Sequence, residues 1–144
     1  PEIYEVLVGH AHFLLQERNL SHVILIDAFE RDIVIVPPGY GHVTINAGDS
    51  DLVMANIVST VFKSDYSEYE GRRGASYYEL ADGTIIKNPA YPHVPDLKLI
   101  KAGEIRQILP LDDRGIYDLI GTDHLTFLNH PENAPDLFRK ALKG

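Results

Sequence analysis

Val34-Ile35-Val36-Pro37-Pro38-Gly39-Tyr40-Gly41-His42-Val43-Thr44-Ile45-Asn46 is the stretch from which the fold can be read. A β-branched apolar run stops at two prolines, which cannot donate ladder hydrogen bonds, so Pro37-Pro38 must be a strand end. Gly39 completes a tight turn, and strand-like residues resume at Gly41–Ile45. The turn aims His42 from the start of that second strand. Asn46 closes the strand at the turn Asn46-Ala47-Gly48-Asp49.

The same punctuation continues outward. Upstream stand Ile3–Val8, ended by Gly9, then His12–Gln16, His22–Asp27 and Asp32–Val36. Downstream come Leu52–Val61, then Ser76–Leu80 and Thr84–Lys87 around the hairpin signal Ala81-Asp82-Gly83. Short runs at about ten-residue spacing, with no helical period between them, predict an all-β sandwich or barrel rather than a parallel sheet with helices. The composition shifts after Lys87. Asn88–Pro95 carries three prolines and reads as a linker or a wrapping arm. Leu97–Ile100 and Ile105–Leu109 read as two more strands. Ala134–Leu142 reads as a helix, with Asn133 as its cap, Pro135 in its first turn, and Lys140 and Lys143 at its C-terminal end. The expected organisation is a barrel over residues 1–88 and an extension over 89–144. That extension packs on the barrel or on a partner subunit and ends in a short helix.

The chain has 144 residues, the length of one domain. It has no Cys, which excludes disulfides, thiolate nucleophiles and Cys-based zinc sites. A formal charge of −8 argues against a nucleic-acid groove. No apolar run reaches the roughly 18 residues of a membrane span. With no Cys and no export signal, a cytoplasmic protein is the expectation. The chain opens at Pro1 with no Met and runs at once into a strand, so the expectation is also that it begins inside a longer protein.

Two motifs carry chemistry. One is Glu2 followed, after six residues, by Gly9; the other is Pro37-x-Gly39-x-x-His42-x-x-x-Asn46. A carboxylate on one strand and an imidazole on another can point into the same barrel, and a divalent metal takes three or four such ligands. On spacing alone, a hydrogen-bonded core His42 and an exposed Glu2 compete with that reading, and short motifs favour the plainer one.

These stretches resemble the second half of the first cupin motif and the whole second cupin motif. Cupins are jelly-roll barrels, in keeping with the strand count. The H-x-H pair that normally precedes the Glu is absent, and Arg31 stands where the second motif usually begins with Gly. Over residues 1–88, Glu2-Ile3-Tyr4, Phe13-Leu14-Leu15-Gln16, Val34-Ile35-Val36-Pro37-Pro38, His42-Val43-Thr44-Ile45-Asn46, Asp65-Tyr66 and Ala81-Asp82-Gly83 are similar to the cupin-type glucose-6-phosphate isomerases of archaea and some bacteria. The resemblance implies a metal-dependent isomerase of glycolysis and gluconeogenesis, a homodimer acting on a small sugar phosphate. It implies Glu2 and His42 as ligands of iron, manganese, nickel or zinc, with two further His ligands upstream of Pro1. It also implies Tyr4 as an active-site residue beside a catalytic Glu2, and Tyr66 at the sugar-phosphate end of the pocket. Val58 stands where some family members carry a polar residue.

Other candidates weigh less. His10 and His12 imitate an H-x-H pair but follow the Glu, so a structural or solvated role is the stronger reading. Arg72-Arg73 can form a phosphate clamp, yet the neighbouring Glu68, Glu70 and Glu79 favour surface ion pairs. Tyr66, Tyr69, Tyr77 and Tyr78 can line a sugar pocket, or serve as core. His93, His124 and His130 have no recognisable spacing. The rival functions are a metal-dependent cupin acting on another small molecule, and a non-catalytic sugar-binding or regulatory cupin module.

Overall fold

Alternation of side chains along the strands sorts the apolar residues into an inner and an outer set, and the fold follows from that sorting. A computed structural model of the chain describes residues 1–103 and 105–143. Nine strands are present among these: β1 Glu2–Val8, β2 His10–Glu17, β3 Val23–Phe29, β4 Ile33–Val36, β5 Tyr40–Asn46, β6 Val53–Val58, β7 Tyr77–Glu79, β8 Ile85–Lys87 and β9 Leu97–Lys101. One sheet has the order β4-β1-β6 and a second has β5-β2-β3-β9, while β7 and β8 form a separate hairpin. The chain therefore passes from sheet to sheet at β1–β2, β3–β4, β4–β5 and β5–β6. The Pro37-Pro38 corner is one of these crossings. Gly9 and Gly39 sit at φ of 93° and 80°, where a side chain is disfavoured. Gly9 makes the first crossing, and a Cβ there would lie 2.5 Å from the Asp51 carbonyl oxygen.

Both sheets contribute to one core. Val6 of β1, Ala11, Phe13 and Leu15 of β2, Ile24 and Ile26 of β3, and Val34 and Val36 of β4 pack together between them. The mainly β fold expected from the strand spacing is thus present. Among the described residues, the three-stranded and four-stranded sheets face each other across this core, and the β7–β8 hairpin is a third, two-stranded ladder.

The outer face of each sheet is covered by later chain. Ile3, Ile33, Ile35 and Ala55 pack under a C-terminal group including Ile105, Leu111, Ile116, Phe127 and Phe138. Leu14, Val23 and Leu25 of the second sheet pack under Ala75, Tyr77, Tyr91 and Val94. The proline-rich stretch is a wrapping arm: Asn88 is buried and donates to the carbonyls of Arg72 and Ala75.

Three local expectations are corrected. Ser67–Arg72 forms a helix, α1, inside the region read as free of helices. Ile105–Ile108 is a helical turn, α2, rather than a strand. A short apolar run fits either state, and among the described residues no strand pairs with this one. Two 3₁₀ turns, Ile116–Leu119 and Asp123–Leu125, lead to α3, Thr126–Asn129. The terminal helix α4 spans Pro135–Ala141, with Pro135 in its first turn as expected, but its N-cap is Ala134, not Asn133. Asn133 belongs to the preceding 3₁₀ turn, Pro131–Asn133. Leu97–Lys101 is a strand, and it pairs in parallel with β3.

Candidate active site

Glu2, Tyr4 and Val6 alternate onto the inner face of β1, and Tyr4 packs against the inter-sheet core. His42 lies opposite Leu15 in the β2–β5 register and so shares that residue's inward face. Two strands of different sheets thereby bring Glu2, Tyr4 and His42 together. The Tyr4 hydroxyl donates to Glu2 Oε2 at 2.7 Å and lies 2.8 Å from His42 Nε2. Asn56, opposite Tyr4 on β6, donates to the same Glu2 oxygen at 3.2 Å. The rings of Tyr4 and His42 meet edge to face, with centroids 5.3 Å apart.

Burial sets the electrostatics. It holds the His42 imidazole below its ordinary pKa, with the Glu2 charge opposing, so the ring is neutral at neutral pH. Burial, and then the hydrogen bond to Glu2, push the Tyr4 phenol well above its ordinary value. Tyr4 is therefore a proton donor at any physiological pH.

The cluster opens on a cavity of about 410 Å³. Its walls come from the Pro37–His42 turn, from the segment Ser59–Tyr69 that runs into the start of α1, and from Gln16 and Arg18 of β2 and the turn after it. Tyr66 lines it and is 63% exposed. Tyr69 is a wall residue whose buried hydroxyl has no hydrogen-bond partner. Its ring packs so closely on Gly41 that a Cβ there would fall 2.6 Å from the hydroxyl. Any side chain at position 41 would displace Tyr69, one residue from His42. Val58 and Ser64 both line the cavity, as do the two cations Arg18 and Lys63.

The other tyrosines and the arginine pair are structural. Tyr77 is core and donates to the Pro95 carbonyl at 2.6 Å. Tyr78 donates to the Arg73 carbonyl at 2.8 Å. Arg72 lies over the Tyr91 ring at 4.6 Å and bonds the Ala90 carbonyl. Arg73 closes α1 in the left-handed conformation.

Sequence reasoning missed Tyr69 as an unpartnered donor, and it missed Arg18 and Lys63. Arg18 follows the end of β2, and its backbone N–H bonds the carbonyl of Gly39 in the distant β4–β5 crossing, beside the cavity.

Glu2 Oε2 and His42 Nε2 are 3.9 Å apart, with the Tyr4 hydroxyl between them. This oxygen-and-nitrogen pair suits a divalent ion such as iron, manganese, nickel or zinc. A cation held by both atoms would replace their two hydrogen bonds and release the Tyr4 hydroxyl. Among the described residues, the pair would supply two of the three or four ligands such an ion takes.

A family model described as glucose-6-phosphate isomerase (GPI) matches residues 1–96, from β1 through β8. No curated protein matches the chain. The match covers every residue of the cluster and nearly the whole cavity wall.

Proposed function

The chain belongs to the glucose-6-phosphate isomerase family, and from that premise we propose that its inter-sheet cavity interconverts glucose 6-phosphate and fructose 6-phosphate with a divalent metal ion held by Glu2 and His42. The observation that carries the reading is the meeting of Glu2, Tyr4 and His42, with Glu2 and His42 lining one cavity inside the matched region. When bound, the ion would polarise the carbonyl of the open-chain sugar.

The reaction moves the C2 hydrogen of the aldose to C1 and the proton of the C2 hydroxyl to the C1 oxygen, so that the C1 aldehyde becomes an alcohol and C2 a ketone. In a proton-transfer route, Glu2 accepts the C2 proton and returns it to C1 through an enediol. Tyr4, once released, donates to the developing oxygen. In a hydride route the hydrogen passes from C2 to C1 with its electron pair, and Glu2 serves as a ligand alone. Solvent deuterium appears at C1 of the product in the first route and is absent in the second. Arg18 and Lys63, which line the cavity, would bind the phosphate in this reading.

The test combines metal content with turnover. His42→Ala is expected to lower both bound metal and kcat/KM by about 100-fold or more, since Lewis-acid stabilisation is worth several kcal/mol. Wild-type turnover in a chelator-stripped His42→Ala protein would eliminate the site. Tight glucose 6-phosphate binding without turnover in the wild-type protein would replace the enzyme by a sugar-binding module.

A further inference from the structure

His10 and His12 stand on β2 two residues apart, and their faces are opposite to that of His42. Ala11, Phe13 and Leu15 point into the inter-sheet core, so His10 and His12 project from the outer face of the second sheet. There they meet Asp27 of β3, the register partner of His12. His10 Nε2 lies 2.5 Å from Asp27 Oδ1, and His12 Nε2 lies 3.5 Å from the same oxygen. Three ligand atoms, one from each residue, lie within 4.8 Å of one another. For comparison, atoms bound tetrahedrally at zinc distances are roughly 3.4 Å apart.

A fourth residue orders the group. The β7 strand carries Glu79 over this face, and its carboxylate lies 2.7 Å from His12 Nδ1. An ionised carboxylate only accepts, so Nδ1–H donates. In the neutral ring, His12 Nε2 then carries a lone pair, and it faces Asp27 Oδ1, another acceptor. A cation between them resolves that opposition. A histidine whose second nitrogen is tied to a carboxylate is the usual arrangement behind a metal ligand. The His10 ring is also fixed: it stacks on Phe29 at 4.2 Å with 6° between planes, and it meets the His12 ring edge-on at 4.9 Å. The ligand side chains are 18–30% exposed, so an ion can enter from solvent. Lys101, the register neighbour of Asp27 on β9, makes no ion pair with it.

We propose that His10, His12 and Asp27 form a second site for a divalent transition-metal ion of the zinc class, on the outer face, with Glu79 as the positioning residue for His12. Such an ion would clip β2 to β3 directly and to the β7–β8 hairpin through Glu79. It stands apart from the inter-sheet cavity and does not depend on the isomerase reading.

The experiment counts zinc per chain after the chelator-stripped protein is equilibrated with zinc and dialysed, and follows the cobalt-substituted protein by its visible absorption. Asp27→Asn and His12→Ala should each hold one ion fewer per chain than wild type, with isomerase turnover unchanged. His42→Ala should keep this ion and its cobalt spectrum, which separates the site from the cavity. Glu79→Gln should bind it about 10–100-fold more weakly. In wild type, zinc should raise Tm, a readout that needs no variant to fold. An unchanged zinc count in folded Asp27→Asn overturns the proposal, as does a cobalt spectrum lost with His42 instead of Asp27. A cluster whose stability follows pH between about 5 and 8 but not zinc is a protonated-imidazole ion pair, and that result also overturns it.

Discussion

Glu2 and Glu5 leave β1 three residues apart and on opposite faces. Glu2 points inward, shares its oxygen with Tyr4 and Asn56, and stands at the wall of a cavity. Glu5 points outward into the layer under the C-terminal segment and is 4% exposed. Its carboxylate is bound by the Arg106 guanidinium and accepts from the Ile116 backbone N–H at 2.8 Å. Arg106 in turn donates to the carbonyls of Arg31, Asp112 and Arg114. Every donor around Glu5 is internal, so it anchors structure. Glu2 keeps a side open to the cavity and can take a ligand. The same residue type on the same strand has two roles, set by what covers each face.

The largest expected effect tests the anchored member. Glu5→Ala leaves the Arg106 guanidinium without its partner and should cost about 3–5 kcal/mol of stability. Urea denaturation measures it, while turnover per folded molecule stays near wild type. A loss below about 1 kcal/mol would erase the contrast. Next, Glu2→Gln should lower kcat/KM by about 100-fold, equivalent to about 2.7 kcal/mol, yet shift stability by less than about 1 kcal/mol. A stability loss matching that of Glu5→Ala would make both residues structural.

A smaller effect comes from Asp32, a half-buried carboxylate in the turn before β4 that has no guanidinium bond. Burial raises its pKa, opposed by the hydrogen bond from the Phe29 N–H; Asp27 raises it further and Arg106 lowers it. A raised folded-state value means that the folded protein binds more protons than the unfolded one. Stability from this group is then full below the ordinary carboxylate pKa and is lost as pH rises through the raised value. Asp32→Asn should therefore gain Tm over wild type at about pH 7 and match it at about pH 3. A gain on the acid side instead would reverse the assignment.

The smallest concerns Arg31, at φ 73° in the turn before β4. The left-handed conformation explains why glycine suits this place, since a side chain there costs roughly 1–2 kcal/mol. Here the guanidinium reaches Asp113 at 2.8 Å, an exposed pair worth little. Arg31→Gly should change stability by less than about 1 kcal/mol, because relief of strain offsets the lost pair and the freer unfolded chain. A large loss would mean that the Asp113 contact holds the C-terminal segment as firmly as Glu5 does.

Much of the inner site was legible. Glu2 and Tyr4 share a face by alternation alone, and the Pro-Pro-Gly turn placed His42 at a strand start. Tyr66 does reach the cavity wall. The outer cluster was half legible: His10 and His12 were visible as a pair, while Asp27 read only as the end of an apolar run. Its pairing with His12 depends on strand register, and Glu79 arrives from 67 residues away. Arg106 gave no local sign of its role, because its partner is 101 residues distant.

By itself the sequence determined most of the strands of the two sheets, the shared face of Glu2 and Tyr4 and the corner that positions His42, since these rest on local periodicity and on proline and glycine geometry. Only the tertiary structure decided which sheet each strand joins, what covers each outer face, and therefore which carboxylate is sealed and which is open. Those outcomes depend on contacts between segments far apart in the chain, and no local pattern encodes them.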